Sequence, residues 1–382
     1  MIRNWRKKKI YKIVIAVVLF VIICFSIFVI LEIITSRSNT EGNITTGDNI
    51  DINVERIPPQ HDNLQWSFYP AHEEYLMDIN VGLGDNYLHS GGMALGAWAR
   101  DEDHPEYGIR EENGRITLNS PQDVINVYVG NFINVDRNFI LKIFYNYEEI
   151  EFNVLGSEVY DSEFLFMLEG GYEVNIPIRL SESLEATESI SKLTVGVFMA
   201  PERFSMKEEA LFGPDNLGMV LNFEINYGFE GDLILNIDSE EPLKTIANAT
   251  GISGLGFNKD FDPPGHTIYV PPNPLQVSPG EEIELGFVTN ASSFIPETVM
   301  DYLIITMIDW RQTSMNGNPY LLINTTDDEY IGDHGRFFIT APENVGKYEV
   351  MGFLISNPTN LNSEDNFWPL IQSIRFTIEV VE

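Results

Sequence analysis

Hydrophobic and polar positions fall into three patterns along this chain. From Ile13 to Leu31 the residues are apolar almost without a break; Ser26 interrupts weakly, and Ile33 and Ile34 extend the run past Glu32. A helix rises about 1.5 Å per residue, so roughly 20 such residues cross a hydrocarbon core of ~30 Å. This predicts one transmembrane helix over 13–34. Residues 35–65 are rich in Ser, Asn, Thr, Gly and Asp, with Pro58-Pro59 stiffening the distal part. That composition predicts a stalk. From Trp66 onward, short runs rich in Val, Ile, Phe and Tyr are separated by Gly, Asn, Asp and Pro. They predict strands at 125–132, 139–145, 164–168, 172–178 and 193–199, and again at 282–289, 302–308, 336–340, 347–356 and 373–380. Residues 219–227 alternate Val220, Asn222, Glu224 and Asn226 with Leu221, Phe223, Ile225 and Tyr227, a strand with one face in a core. Outside the membrane, only Ser205–Leu211 suggests a helical turn.

The flanks of the apolar run predict its orientation. Arg3, Arg6, Lys7, Lys8, Lys9 and Lys12 precede it, and only Arg37 lies close beyond. Cytoplasmic flanks carry the excess of Lys and Arg, so 1–12 reads as a cytoplasmic tail and the C-terminal domains as extracellular, on a single-pass cell-membrane protein. A cleaved signal peptide competes with this reading. Its apolar region is normally about 7–15 residues, followed by a small-x-small site. This run is longer and shows no such site.

The extracellular part reads as two related halves. Ser120-Pro121-Gln122-Asp123-Val124-Ile125-Asn126-Val127 matches Ser278-Pro279-Gly280-Glu281-Glu282-Ile283-Glu284-Leu285 without a gap. Gly196-Val197-Phe198-Met199 precedes Pro201, as Gly352-Phe353-Leu354-Ile355 precedes Pro358. The expected organisation is a β-sandwich at 66–237, a linker at 238–261 and a second sandwich at 262–382. The stretch 82–114, with its small residues around Trp98, is the least sandwich-like and reads as a long loop or an extra edge.

The segment Phe338-Ile339-Thr340-Ala341-Pro342-Glu343-Asn344-Val345-Gly346-Lys347-Tyr348-Glu349-Val350 resembles the corner between two late strands of bacterial immunoglobulin-like domains. In that resemblance Tyr348 is a corner tyrosine whose hydroxyl caps a turn. Pro279-Gly280-Glu281 resembles the early turn of the same domains. The resemblance covers about 265–382. The first half keeps a Gly-x-Tyr idea in Leu168-Glu169-Gly170-Gly171-Tyr172 but lacks the Ala-Pro. The resemblance implies an all-β ectodomain of two tandem immunoglobulin-like sandwiches, and no particular activity.

Charge narrows the partners. The chain has 23 basic and 57 acidic residues; seven basic residues and one acid lie in the first 37, which leaves 16 and 56 and a formal charge of −40 outside. Such a surface repels nucleic acid and anionic lipid. The sole cysteine, Cys24, lies in the apolar run, so no disulfide holds the ectodomain. That leans towards a bacterial or archaeal surface.

Candidate chemistry is sparse. His61, His72, His89 and His104 share a region rich in acids, but their spacing fits no zinc motif. Asp101, Asp103 and Glu106, and Asp327, Asp328 and Asp333, could each give oxygens to calcium; calcium is the one cofactor considered, and solvated acidic loops are the competing reading. No Ser-His-Asp elbow, phosphate loop or cysteine nucleophile occurs, so the chain reads as a non-enzyme. Among Trp66, Trp98, Trp310 and Trp368, Trp98 is the candidate ligand-stacking residue, because its neighbours are Gly and Ala. The leading expectation is a membrane-anchored surface protein whose modules serve binding, adhesion or spacing, with a protein or glycan partner. An accessory subunit of a membrane complex comes second and a cell-wall glycan enzyme third.

Overall fold

The computed structural model describes residues 53–61, 63–72, 92–100, 115–133, 135–181, 184, 190–204, 218–228, 244–247, 255–258, 274–289, 301–324, 331–356, 358–359, 371–373 and 375–382. The predicted cytoplasmic tail, transmembrane helix and the stalk as far as residue 52 lie outside them, as does the predicted helical turn at 205–211. Among the described residues no helix is long and apolar enough to cross a membrane. Residues 51–382 form one compact unit, and its described part is all-β apart from one 3-10 turn at Val54–Arg56.

The first half contains β1 (Ser67–Pro70), β2 (Met93–Ala99), β3 (Arg115–Thr117), β4 (Ile125–Asn131), β5 (Arg137–Tyr145), β6 (Glu148–Glu149), β7 (Phe152–Val154), β8 (Glu163–Leu168), β9 (Tyr172–Leu180), β10 (Ser191–Met199) and β11 (Gly218–Asn226). The second contains β12 (Lys244–Ala247), β13 (Leu255–Asn258), β14 (Leu275–Val277), β15 (Glu282–Thr289), β16 (Asp301–Ile308), β17 (Arg311–Thr313), β18 (Leu321–Asn324), β19 (Ile331–Thr340), β20 (Gly346–Ser356), β21 (Ile371–Gln372) and β22 (Phe376–Val380).

The halves repeat one pairing scheme. One sheet runs β1-β9-β4-β2 in the first half and β12-β19-β15-β13 in the second. The other runs β3-β11-β10-β5-β6 and β14-β22-β20-β16-β17. In each half the first strand of this second sheet pairs parallel to the last. The matched segments make the same turn. Asp123 N–H donates to Ser120 O at 3.0 Å, and Glu281 N–H to Ser278 O at 3.1 Å. The following carboxylate then accepts from the serine N–H, at 3.3 Å in Asp123 and 2.7 Å in Glu281.

Two expected boundaries change. β12 and β13 fall within the stretch expected as a linker, yet they pair with β19 and β15. Their apolar side chains explain this: Leu255 and Phe257 sit in the second core. Residues 53–61 and 63–65, expected as stalk, lie on the body, held by bonds described below.

Each half has its own core. Leu221, Phe223, Ile225 and Tyr227 face the first core, as their alternation predicts. The inner sheets are apolar on both faces, however. Phe139, Leu141, Ile143 and Tyr145 of β5 enter the first core, while Ile140 and Phe144 enter a third core. On β16, Tyr302, Ile304 and Ile308 enter the second core, and Leu303, Ile305 and Met307 enter the third. The third core also takes Phe198 and Val220 from one half and Met351, Phe353 and Ile355 from the other. The two inner sheets therefore pack back to back, and burial of this apolar surface holds the halves together.

Two equivalent hairpin turns lock that contact. β5 and β6 are joined by Asn146-Tyr147, and β16 and β17 by Asp309-Trp310; all four residues have positive φ, between 48° and 71°. Two-residue hairpin loops of this kind match strand twist, and Asn or Asp tolerates the first position. A bulky aromatic at positive φ is unusual, and here the opposite half holds each ring. Tyr147 Oη donates to Pro358 O at 2.6 Å, and Trp310 Nε1 donates to Pro201 O at 3.4 Å. Two residues further on, Glu149 N–H donates to Gln312 Oε1 at 2.6 Å and Gln312 N–H donates back to the Glu149 carboxylate. The exchange is that of a two-fold interface, in which one patch meets its own counterpart. Arg375 adds a one-sided tie: it stacks 4.8 Å over Trp310, bonds Glu349 at 3.2 Å, and donates to Met199 O and Arg203 O at 3.0 and 2.6 Å.

Candidate functional site

The segment 53–66 runs across the first half as a strap. Asn53 N–H donates to Glu202 O at 2.7 Å. Arg56 bonds Glu163 of β8, and also Asp309 O and Oδ2 at 2.7 and 3.0 Å. One guanidinium thus ties the strap to both halves. Burial opposes the charge of Arg56, but Glu163 and Asp309 outweigh it and raise its pKa. Further along, His61 Nε2 donates to Leu165 O at 2.6 Å, which places the ring proton on that nitrogen. Gln65 N–H donates to Leu155 O at 2.8 Å.

Beside the strap lie two adjoining clefts that share Pro59 and His61. The larger, about 320 Å³, is lined by Pro59, Gln60, His61, Trp66, Phe68, Met167, Glu169 and Tyr172. The smaller, about 230 Å³, is lined by Phe152, Val154, Val159 and Phe164 together with Asp161 and Glu163. The rings form corners. Trp66 and Phe68 are 4.8 Å apart at 65°, and His61 meets Trp66 at 5.6 Å and 89°. His61 and Trp66 both rest on buried Phe164, at 4.6 and 5.7 Å. Their fixed backing makes the cleft preformed.

Phe68, Met167 and Tyr172 are exposed, at 46%, 49% and 38%, beside exposed Pro59, Gln60 and Glu169. Phe68 comes from β1, which ends one sheet, Met167 from β8, which flanks β5 in the other, and Tyr172 from the start of β9, between β1 and β4. Gly170 and Gly171 carry the chain between those sheets. Gly171 has φ 77°, which favours glycine, and the turn sets Glu169 and Tyr172 side by side at the cleft lip.

Behind the smaller cleft the charges are paired. Lys142 is fully buried and bonds Glu149; burial pushes its pKa down and Glu149 opposes that. Arg311 reaches Asp161 at 3.3 Å, Glu149 at 3.6 Å and Glu163 at 3.7 Å. These ion pairs link β5, β6 and β8 of the first half to Arg311 of β17 in the second.

Asp101, Asp103, Glu106, Asp327 and Asp328 lie outside the described residues, as do His89, His104 and Trp368. Asp333 is placed by its backbone in β19 opposite Thr289. Among the described residues no group of three His, Cys, Asp or Glu side chains could hold a metal ion. Trp98 is half-buried on β2, against Tyr128 at 5.9 Å and over Gly96. The small residues around it make room for its ring on the sheet. Trp310 is buried in the third core. Trp66, not singled out in the sequence, is the tryptophan that lines the cleft.

No protein-family model and no curated protein matches the chain. Among solved structures, similarity is found to the C-terminal domain of the Streptococcus agalactiae AgI/II polypeptide BspA, with 9% identity and a TM-score of 0.21 over 75% of this chain and 100% of that one. The C-terminal domain of the Streptococcus pyogenes antigen I/II-family protein AspA matches at 8% identity and 0.20, over 76% and 100%. The E. coli chaperone DraB matches at 10% and 0.20, over 76% and 96%. At these scores the overlaps carry no argument about fold or activity.

Proposed function

We propose that this chain is a single-pass, membrane-anchored surface protein that presents a binding cleft on a stiff body of two tandem immunoglobulin-like modules. The apolar run at 13–34 is the anchor and the C-terminal domains face outward. The observation that carries the reading is the preformed aromatic cleft, with Phe68, Met167 and Tyr172 exposed around it. Exposed apolar clusters of this kind mark interaction sites. The back-to-back packing of the inner sheets favours rigid presentation over a flexible string of modules.

Two experiments test this. On intact cells, external protease is expected to remove the body and spare the first 37 residues; a protected body would overturn the orientation. Full-length protein in nanodiscs is expected to be retained on isolated envelope material, and Phe68→Ala/Tyr172→Ala is expected to abolish retention. Equal retention of the double variant would remove the cleft as the site.

A further inference from the structure

The larger cleft combines three features that select one class of ligand. First, its rings meet at steep angles, 65° between Trp66 and Phe68 and 89° between His61 and Trp66. Flat stacking of a sugar needs ring faces in a common plane, whereas rings set at corners can surround a compact group. Second, Glu169 stands on the lip beside Tyr172, and among the described residues no Lys or Arg lines the cleft. Third, the outer part of the chain carries a formal charge of −40, from 56 acidic and 16 basic residues, so its field draws cations and repels anions.

We infer that the cleft formed by Trp66, Phe68, Met167, Tyr172 and Glu169 binds a quaternary ammonium group. The inference rests on the binding reading above and names its ligand class. Aromatic faces attract a cation through their quadrupole, and the attraction is stronger where water is excluded. A quaternary ammonium has no N–H to satisfy, so apolar walls do not leave a donor orphaned. A primary ammonium would lose more hydration than a quaternary one, and only Gln60, Glu169 and Tyr172 in the lining carry side-chain oxygens to replace it. Met167 supplies a polarizable wall that fits methyl groups. Glu169 supplies the countercharge without entering the apolar part.

The test uses full-length protein in nanodiscs made of lipids without choline. Binding of choline is measured by titration calorimetry and compared with 3,3-dimethylbutan-1-ol, a neutral molecule of the same shape. The expected result is saturable choline binding with the neutral analogue at least about tenfold weaker. Phe68→Ala and Tyr172→Ala, both at exposed positions, are each expected to weaken choline about tenfold, and Glu169→Gln by less. Equal binding of choline and the neutral analogue would overturn the ammonium inference and leave the cleft as an apolar binding site. Absence of choline binding, with envelope retention still lost in Phe68→Ala/Tyr172→Ala, would also overturn it while the binding reading stands. Absence of both choline binding and envelope retention in the unaltered protein would sink the two together. Once choline binds, phosphatidylcholine vesicles and soluble phosphocholine, compared as competitors, separate a lipid source from a polymer or small-molecule source.

Discussion

The Asn146-Tyr147 and Asp309-Trp310 turns occupy equivalent places in the two halves and do the same work, whereas the corners at Tyr172 and Tyr348 do not. At the turns, each aromatic crosses to the other half and donates to a carbonyl, Pro358 O or Pro201 O. At the corners, Tyr348 Oη donates back to Asn344 O at 2.9 Å, capping its own turn as the corner-tyrosine resemblance implies. Tyr172 is exposed and lines the cleft. The two tyrosines do not occupy equivalent places: Tyr172 opens β9, the counterpart of β19, whereas Tyr348 lies in β20, the counterpart of β10. The first half carries the candidate site; the second stiffens it.

The largest effect should come from breaking the shared contact. Trp310 is 1% exposed in the third core, and Trp310→Ala should cost ~3–5 kcal/mol in urea unfolding. Both halves should be destabilised, since the loss sits between them. Unfolding of the second half alone would break the comparison. Gln312→Ala comes next. It strips a partner from Glu149 N–H, and its Nε2 no longer donates to Tyr147 O at 2.9 Å and Pro319 O at 2.7 Å. The expected cost is ~1–3 kcal/mol, less if water enters.

The corners sharpen the contrast. Tyr348→Phe should cost ~1 kcal/mol for its hydrogen bond. Tyr172→Phe should change stability by less than ~0.5 kcal/mol, as for an exposed position. Equal losses would mean that both tyrosines are structural. A further effect concerns pH. Burial raises the phenol pKa of Tyr147, and of Tyr320 to about 12. The folded state then holds protons that the unfolded state releases from about pH 10. This stability is fully present below that pH and falls as pH rises further. Tyr147→Phe should flatten the fall, measured as denaturant midpoint against pH from 9 to 12.

Much of the fold was legible in the sequence. The alternation at 219–227 placed Leu221, Phe223, Ile225 and Tyr227 in a core, and the Ser120 and Ser278 segments announced the same turn. The back-to-back contact was less legible, though a signal existed: 139–145 (Phe-Ile-Leu-Lys-Ile-Phe-Tyr) and 302–308 (Tyr-Leu-Ile-Ile-Thr-Met-Ile) lack the polar alternation of a half-buried strand. Runs of this kind are ambiguous, because fully buried strands also arise inside a single domain. The strap was hidden for another reason. Pro58, Pro59 and their polar neighbours suit a stalk, and the bonds that tie the segment to the body, from Asn53, Arg56, His61 and Gln65, all reach partners about 90 or more residues away in the chain. Trp66 was indistinguishable from a core tryptophan, since its exposure depends on where the strap lies.

The central claim is that the halves form one body through their inner sheets, so that the cleft is rigidly presented. Native-state hydrogen exchange of the full-length protein across increasing urea tests it most directly. The account predicts that amides of β5 and β16 converge on one opening free energy and that Trp310→Ala lowers both together. Separate opening free energies, with β5 unmoved by Trp310→Ala, would contradict it.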